Sequence, residues 1–213
     1  MQLTKFTHAC VRLDDGDRTL VLDPGGFSEV QQALDGADAV LITHEHLDHI
    51  EPDQLRAALR ADIRLRVWAP SSVTASLGDF AEQVVTVSEG ESFDAAGFAV
   101  RAFGGQHALI HPAIPMVANL GFLVDESIYH PGDSFTVPDV EVRTLLLPTS
   151  APWSKAAEVI DFAVSVRAPQ AFQIHDSLVT DVYANIVEGH LKRISEPFGV
   201  TFRHLVATES VSL

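Results

Sequence analysis

The stretch Thr43-His44-Glu45-His46-Leu47-Asp48-His49 decides how this chain is read. It follows a hydrophobic run, Asp38-Ala39-Val40-Leu41-Ile42, whose length and composition predict a buried strand. Four side chains able to ligate a metal therefore gather where a strand ends. His44 and His46 stand two apart, so extended chain projects them the same way. Asp48 and His49 are adjacent, and a turn can aim them at a neighbouring point. One loop can thus offer two imidazoles to one ion and a carboxylate with an imidazole to a second. A lone His on an apolar face is more often a satisfied core residue than a ligand. Three His and one Asp in six residues are hard to explain as packing.

Outward from this loop, other stretches carry the same kind of chemistry. Leu20-Val21-Leu22-Asp23-Pro24-Gly25 reads as a strand ending in a carboxylate. Gly104-Gly105-Gln106-His107, Tyr129-His130-Pro131-Gly132-Asp133-Ser134 and Gln173-Ile174-His175-Asp176 follow in order. Together with the HxHxDH pattern of residues 44–49, these five landmarks resemble the metallo-β-lactamase superfamily of binuclear metallohydrolases. The likeness spans nearly the whole chain. Within the superfamily it resembles the short, single-domain ascorbate-6-phosphate lactonase-like hydrolases.

The resemblance implies an α/β fold, a four-layer αββα sandwich, with a single domain over residues 1–213. It implies that His44, His46 and His107 hold a first metal, that Asp48, His49 and His175 hold a second, and that Asp133 bridges both. Asp23 is implied to support the ligating loop by hydrogen bonding, although a turn-forming Asp before Pro-Gly would read the same way. A hydroxide shared by the two ions would attack a lactone, ester or phosphoester bond of a small metabolite, with Asp48 orienting it or relaying its proton. Two divalent ions are expected, with zinc favoured by the His-rich set and manganese or iron also admissible. Rival expectations are a phosphodiesterase acting on nucleotides or short nucleic acid, an iron protein of thiol or oxygen redox chemistry, and a metal-binding protein without catalysis.

The remaining histidines are read individually. His111 rivals His107 on the same loop, but precedes Pro112 and is expected to face substrate or solvent. His8 either reaches the site or lies at a strand end on the surface. His130 is expected to be structural or to support a ligand, and His190 and His204 to be surface or packing residues. After the strand expected at 142–147 comes Pro148-Thr149-Ser150-Ala151-Pro152-Trp153-Ser154-Lys155. The simplest reading has Ser154 capping a helix, Trp153 packing beneath it and Lys155 solvated; the alternative gives Trp153 and Lys155 to the substrate.

Composition bounds these readings. A chain of 213 residues with 46% hydrophobic and 20% charged residues reads as globular. A formal net charge of −15 argues against nucleic acid or an anionic membrane as partner. The single cysteine, Cys10, permits no internal disulfide and is expected to be a buried small hydrophobe. No signal peptide or membrane span is evident, so a cytoplasmic protein with a small-molecule substrate is expected, with a homo-oligomer admissible. Strands are expected at 2–6, 10–13, 18–22, 38–42, 66–69, 84–87, 97–103, 119–124, 142–147 and 170–174, and helices at 52–60, 154–166 and 178–195. In the last helix Leu178, Val182, Ile186, Leu191 and Ile194 are spaced near a 3.6-residue period.

Overall fold

Strands with apolar residues on both faces must be covered on both faces, and this chain lays down two sets of them. The computed structural model describes residues 1–213. The first set opens with an antiparallel meander, β1 (Gln2–Lys5), β2 (Val11–Asp15) and β3 (Arg18–Leu22). It continues through α1 (Val30–Leu34), β4 (Ala39–Leu41), α2 (Pro52–Ala61), β5 (Arg66–Ala69), α3 (Ser71–Ser76) and β6 (Val84–Thr86). Here the strands are parallel, and each helix supplies the crossover that parallel pairing demands.

The second set repeats the plan. A meander, β7 (Ser92–Ala95), β8 (Phe98–Gly104), β9 (Leu120–Val124) and β10 (Ile128–His130), leads into parallel β11 (Thr144–Pro148), α4 (Ala156–Val166), β12 (Gln170–Ile174), α5 (Asp181–Ser195) and β13 (Thr201–Arg203). β14 (Ser210–Ser212) then returns to pair with β1. The two sheets have the orders β14-β1-β2-β3-β4-β5-β6 and β13-β12-β11-β10-β9-β8-β7.

Three apolar clusters define four layers. Leu20, Leu22, Ala39 and Leu41 of the first sheet meet Phe98, Phe122, Leu146 and Ile174 of the second. Their neighbours Val21 and Val40 point the other way, under Val30, Leu55, Leu59 and Val73 of α1 to α3. Leu145 and Leu147 likewise lie under Val159, Phe162, Val187 and Leu191 of α4 and α5. The result is the expected αββα sandwich, and no helix is long and apolar enough to cross a membrane.

Several local expectations need correction. α5 begins at Asp181, with Thr180 as its N-cap, rather than at 178. Its buried stripe is Val187, Glu188, Leu191 and Ser195, while Leu178, Val182, Ile186 and Ile194 are exposed. α4 starts at Ala156, and Glu158 reaches back to the Lys155 N–H at 3.0 Å, so Ser154 does not cap it. α1, α3, β7, β10, β13 and β14 are too short to show a period in sequence.

Candidate metal centre

Six strands deliver the site from their C-terminal ends. His8 follows β1, Asp23 follows β3, and residues 44–49 follow β4 in the first sheet; His107 follows β8, Asp133 follows β10 and His175 follows β12 in the second. β1, β3 and β4 run in one direction, as do β8, β10 and β12, so each sheet presents these ends along one edge.

The residue 44–49 loop is folded by backbone. His49 N–H and Ile50 N–H both donate to His46 O, at 2.9 and 3.1 Å, which turns Asp48 and His49 back toward His44. Gly26 N–H donates to Leu47 O at 2.7 Å. Gly25 is required by this packing, since a Cβ there would sit 1.8 Å from Asp48 O. Gly132, at φ +62, brings the Asp133 loop against Asn119 and Thr43, leaving no room for a side chain. His8, Asp23 and His175 also hold positive φ, of 65°, 46° and 58°. Backbone strain of this kind survives only where surroundings impose it, and it collects at functional sites.

Two groups of ligand-capable atoms result. His44, His46, His107 and Asp133 form one, and His8, Asp48, His49 and His175 the other, with the atoms of each group within 4.8 Å of one another. Asp133 joins them: Oδ1 is 3.0 Å from His49 Nε2, and Oδ2 is 3.2 Å from both His107 Nε2 and His175 Nε2. Asp48 Oδ2 lies 3.5 Å from His175 Nε2.

The outward nitrogens fix the tautomers. His107 Nδ1 and His175 Nδ1 each lie 2.6 Å from a carbonyl oxygen, of Ala108 and Ser150. A carbonyl only accepts, so Nδ1 carries the proton and a neutral ring turns its Nε2 lone pair inward. His49 Nδ1 meets the Asp23 carboxylate at 2.6 Å, with the same consequence. Thr43 Oγ1 donates to Asp23 at 2.7 Å and is 3.0 Å from His44 Nδ1, from which it can accept. Asp23 therefore sits behind the ligating loop, fully buried, as expected for a supporting carboxylate.

Electrostatics point the same way. Burial, then repulsion from His49, holds His44 well below the usual imidazole range, so it is a neutral donor. Burial disfavours charge on Asp133, but His49, His107 and His175 override it and keep the carboxylate ionised. Burial also opposes charge on His49 and His175; Asp133 with Asp23 raises the first well above its ordinary value, and Asp133 with Asp48 raises the second to about 9. Without cations, the cluster thus balances its carboxylates with protons. Despite these short distances, buried His49 Nε2, His175 Nε2 and Asp133 Oδ1 meet no partner at a hydrogen-bonding angle. Native interiors rarely leave such atoms orphaned, and a cation shared among them would satisfy all three. The donor set fits a metal.

The structure brings together all seven residues expected as ligands. His111 stays outside, exposed, accepting from Ala113 N–H at 3.1 Å. His8 is fully buried: Nε2 is 3.1 Å from Asp48 Oδ2 and Nδ1 is 2.8 Å from Ser177 Oγ. His130 is buried behind Asp23, bonded to Ala9 O at 2.9 Å. His204 is exposed and pairs with Glu188. Lys155 is solvated and paired with Glu158. Trp153 corrects the simpler expectation, because its Nε1–H donates to Asp133 Oδ2 at 2.9 Å while its ring packs on Phe135. Neither Ser177 nor Thr43 was marked by the sequence.

A His/Asp cluster on the strand ends of an αββα sandwich is the architecture of a metallo-β-lactamase-fold protein. The family model described as "Beta-lactamase superfamily domain" matches residues 2–175, and the chain belongs to that superfamily. A Mycobacterium tuberculosis protein is 36% identical over 200 residues, covering 92% of this chain and 93% of that one. A "UPF0173 metal-dependent hydrolase" of Xanthobacter autotrophicus is 28% identical over 160 residues, covering 66% and 65%. The solved structure of Igni18, a metallo hydrolase from Ignicoccus hospitalis, shares the fold at a TM-score of 0.76 and 18% identity, covering 99% of this chain and 97% of that one.

Proposed function

We propose that this chain is a metal-dependent hydrolase with a binuclear centre, acting on a lactone, ester or phosphoester bond of a small metabolite. The class, a metal-dependent hydrolase of the metallo-β-lactamase fold, follows from the family and the relatives. The finer reading rests on one observation: outward nitrogens of His107, His175 and His49 are clamped by acceptors, so inward lone pairs converge on the Asp133 carboxylate. His44, His46 and His107 would hold one cation, Asp48, His49 and His175 the other, and Asp133 both.

Two divalent cations, zinc by preference for this donor set and manganese or iron as alternatives, would supply Lewis acidity and a water acidified toward neutral pH. The protein does the rest. Asp133 keeps its charge between the two groups, fixed by the Trp153 N–H. Asp48 is the less buried of the two carboxylates and borders the opening, where it can orient an incoming nucleophile or take its proton. The Asp48 carboxylate only accepts, so His8 Nε2 carries a proton and donates to Asp48 Oδ2, holding that carboxylate still, while the neutral ring's Nδ1 accepts from Ser177 Oγ. His8 is thereby a positioning residue for Asp48.

The test is a panel of lactones, carboxylic esters and phosphodiesters, run on protein stripped with chelator and reloaded separately with zinc, manganese and iron(II). Loss of turnover on stripping, restored by one of these metals, is expected. Hydrolysis that persists in fully stripped protein would sink the reading.

A further inference from the structure

We infer that the substrate of this centre is uncharged and carries an apolar group, which lies on the wall formed by the loop after His107; this rests on the hydrolase reading above. The opening is located by exposure. Among the eight clustered residues, only His46 and Asp48 are partly exposed; the others are buried. What surrounds that opening is therefore what a substrate meets first.

It is apolar. Leu47, between the two opening residues, is 69% exposed. A small cavity has His46 and His107 as its polar wall and Leu109, Ile114 and Met116 among its apolar lining, and these three are about half exposed. Phe27 is half exposed, its ring 5.3 Å from that of His8. Exposed apolar side chains scattered singly need no explanation, but contiguous ones beside a polar centre mark a binding surface. The wall is anchored: Ala108 N–H donates to Asp133 O at 2.8 Å, and His107 N–H to Val117 O at 3.1 Å.

No lysine or arginine lines that cavity. The ion-pair partners of Asp48 and Asp133 are all histidines. Lys155, the nearest in sequence to Trp153, pairs with Glu158, and Lys5 is buried against Asp176. Glu45, on the signature loop itself, is exposed. Away from the metals themselves, a phosphate or carboxylate substituent lying on this wall would meet no guanidinium or ammonium, whereas an alkyl or aryl group finds a surface. The phosphorylated substrate suggested by the subgroup resemblance is disfavoured on this ground.

The experiment uses metal-loaded protein and two homologous series: neutral p-nitrophenyl esters from acetate to octanoate, and the unreactive primary amides of the same acids, with p-nitrophenyl phosphate as the charged comparison. Ester kcat/KM and amide affinity, read by tryptophan fluorescence, are expected to rise about two- to fourfold per added methylene. Ile114→Ser should flatten both slopes at unchanged metal content, and the phosphate should be the poorest substrate. Esters hydrolysed with no slope in either series would overturn the inference while leaving the hydrolase reading intact. A slope in the amides with no ester hydrolysed would keep the apolar wall and remove the hydrolase reading. If Ile114→Ser changes the sedimentation mass but not the slopes, the wall belongs to a second copy of the chain and the inference fails.

Discussion

Asp23 Oδ2 receives His49 Nδ1 at 2.6 Å and Thr43 Oγ1 at 2.7 Å, while Oδ1 receives Thr43 N–H at 2.7 Å. One buried carboxylate thus orients the ligating loop from behind. Asp23→Ala should weaken metal binding by about 10- to 100-fold, and breaking the buried pair with His49 should cost about 3 kcal/mol. Metal titration and thermal melting read the two effects, and unchanged metal affinity would deny Asp23 its role. Trp153→Phe keeps a ring against Phe135 but removes the N–H bonded to Asp133. A hydrogen bond to a charged group is worth about 1.5–3 kcal/mol, so kcat should fall about tenfold or more with metal content and KM nearly unchanged. Full activity in that variant would return Trp153 to simple packing. The seven expected ligands were legible in the sequence because each lies in a short landmark. His8 was legible only as one of two equal readings, since a lone His before an apolar stretch carries no spacing to weigh. Trp153 was misread because Pro152-Trp153-Ser154 before a helix looks like a cap, and nothing local shows that Asp133 lies across the gap.

At the scale of elements, the site depends on loops approaching one another more closely than side chains allow. Gly25 after β3 packs on the Asp48 peptide of the β4 loop. A methyl group there must displace backbone, not a flexible side chain. Gly25→Ala should therefore cost about 3 kcal/mol or more, which corresponds to about 6–12 °C in Tm for a chain of this size, together with loss of metal. An unshifted melting curve would mean that the two loops are not packed as described. Strands such as β3, β4 and β11 were legible because they carry apolar runs, at residues 20–22, 39–41 and 145–147. In α5 Val182, Ile186 and Ile194 fit the helical period but are exposed, while Val187 and Leu191 face the core. Two apolar stripes share that helix, and periodicity alone does not say which one the second sheet covers.

For the whole molecule, composition and periodicity reached as far as an α/β protein, and the four-layer arrangement came from the family resemblance. The physical reason is that layering is a property of long-range pairing. β14 pairs with β1 across nearly the full chain, and the two sheets meet through Leu22, Leu41, Phe122 and Ile174, none of which is distinctive by itself. That arrangement draws residues 8, 44–49, 107, 133 and 175 to one edge, so the centre forms only with the fold. Elemental analysis of protein purified without chelator, beside His46→Ala and Asp133→Asn, is the most direct check of a binuclear centre. About two equivalents of divalent metal per chain are expected in the wild type, halved by His46→Ala and lost or halved by Asp133→Asn. A wild type that holds no metal, and takes up neither zinc, manganese nor iron when they are added, would contradict it.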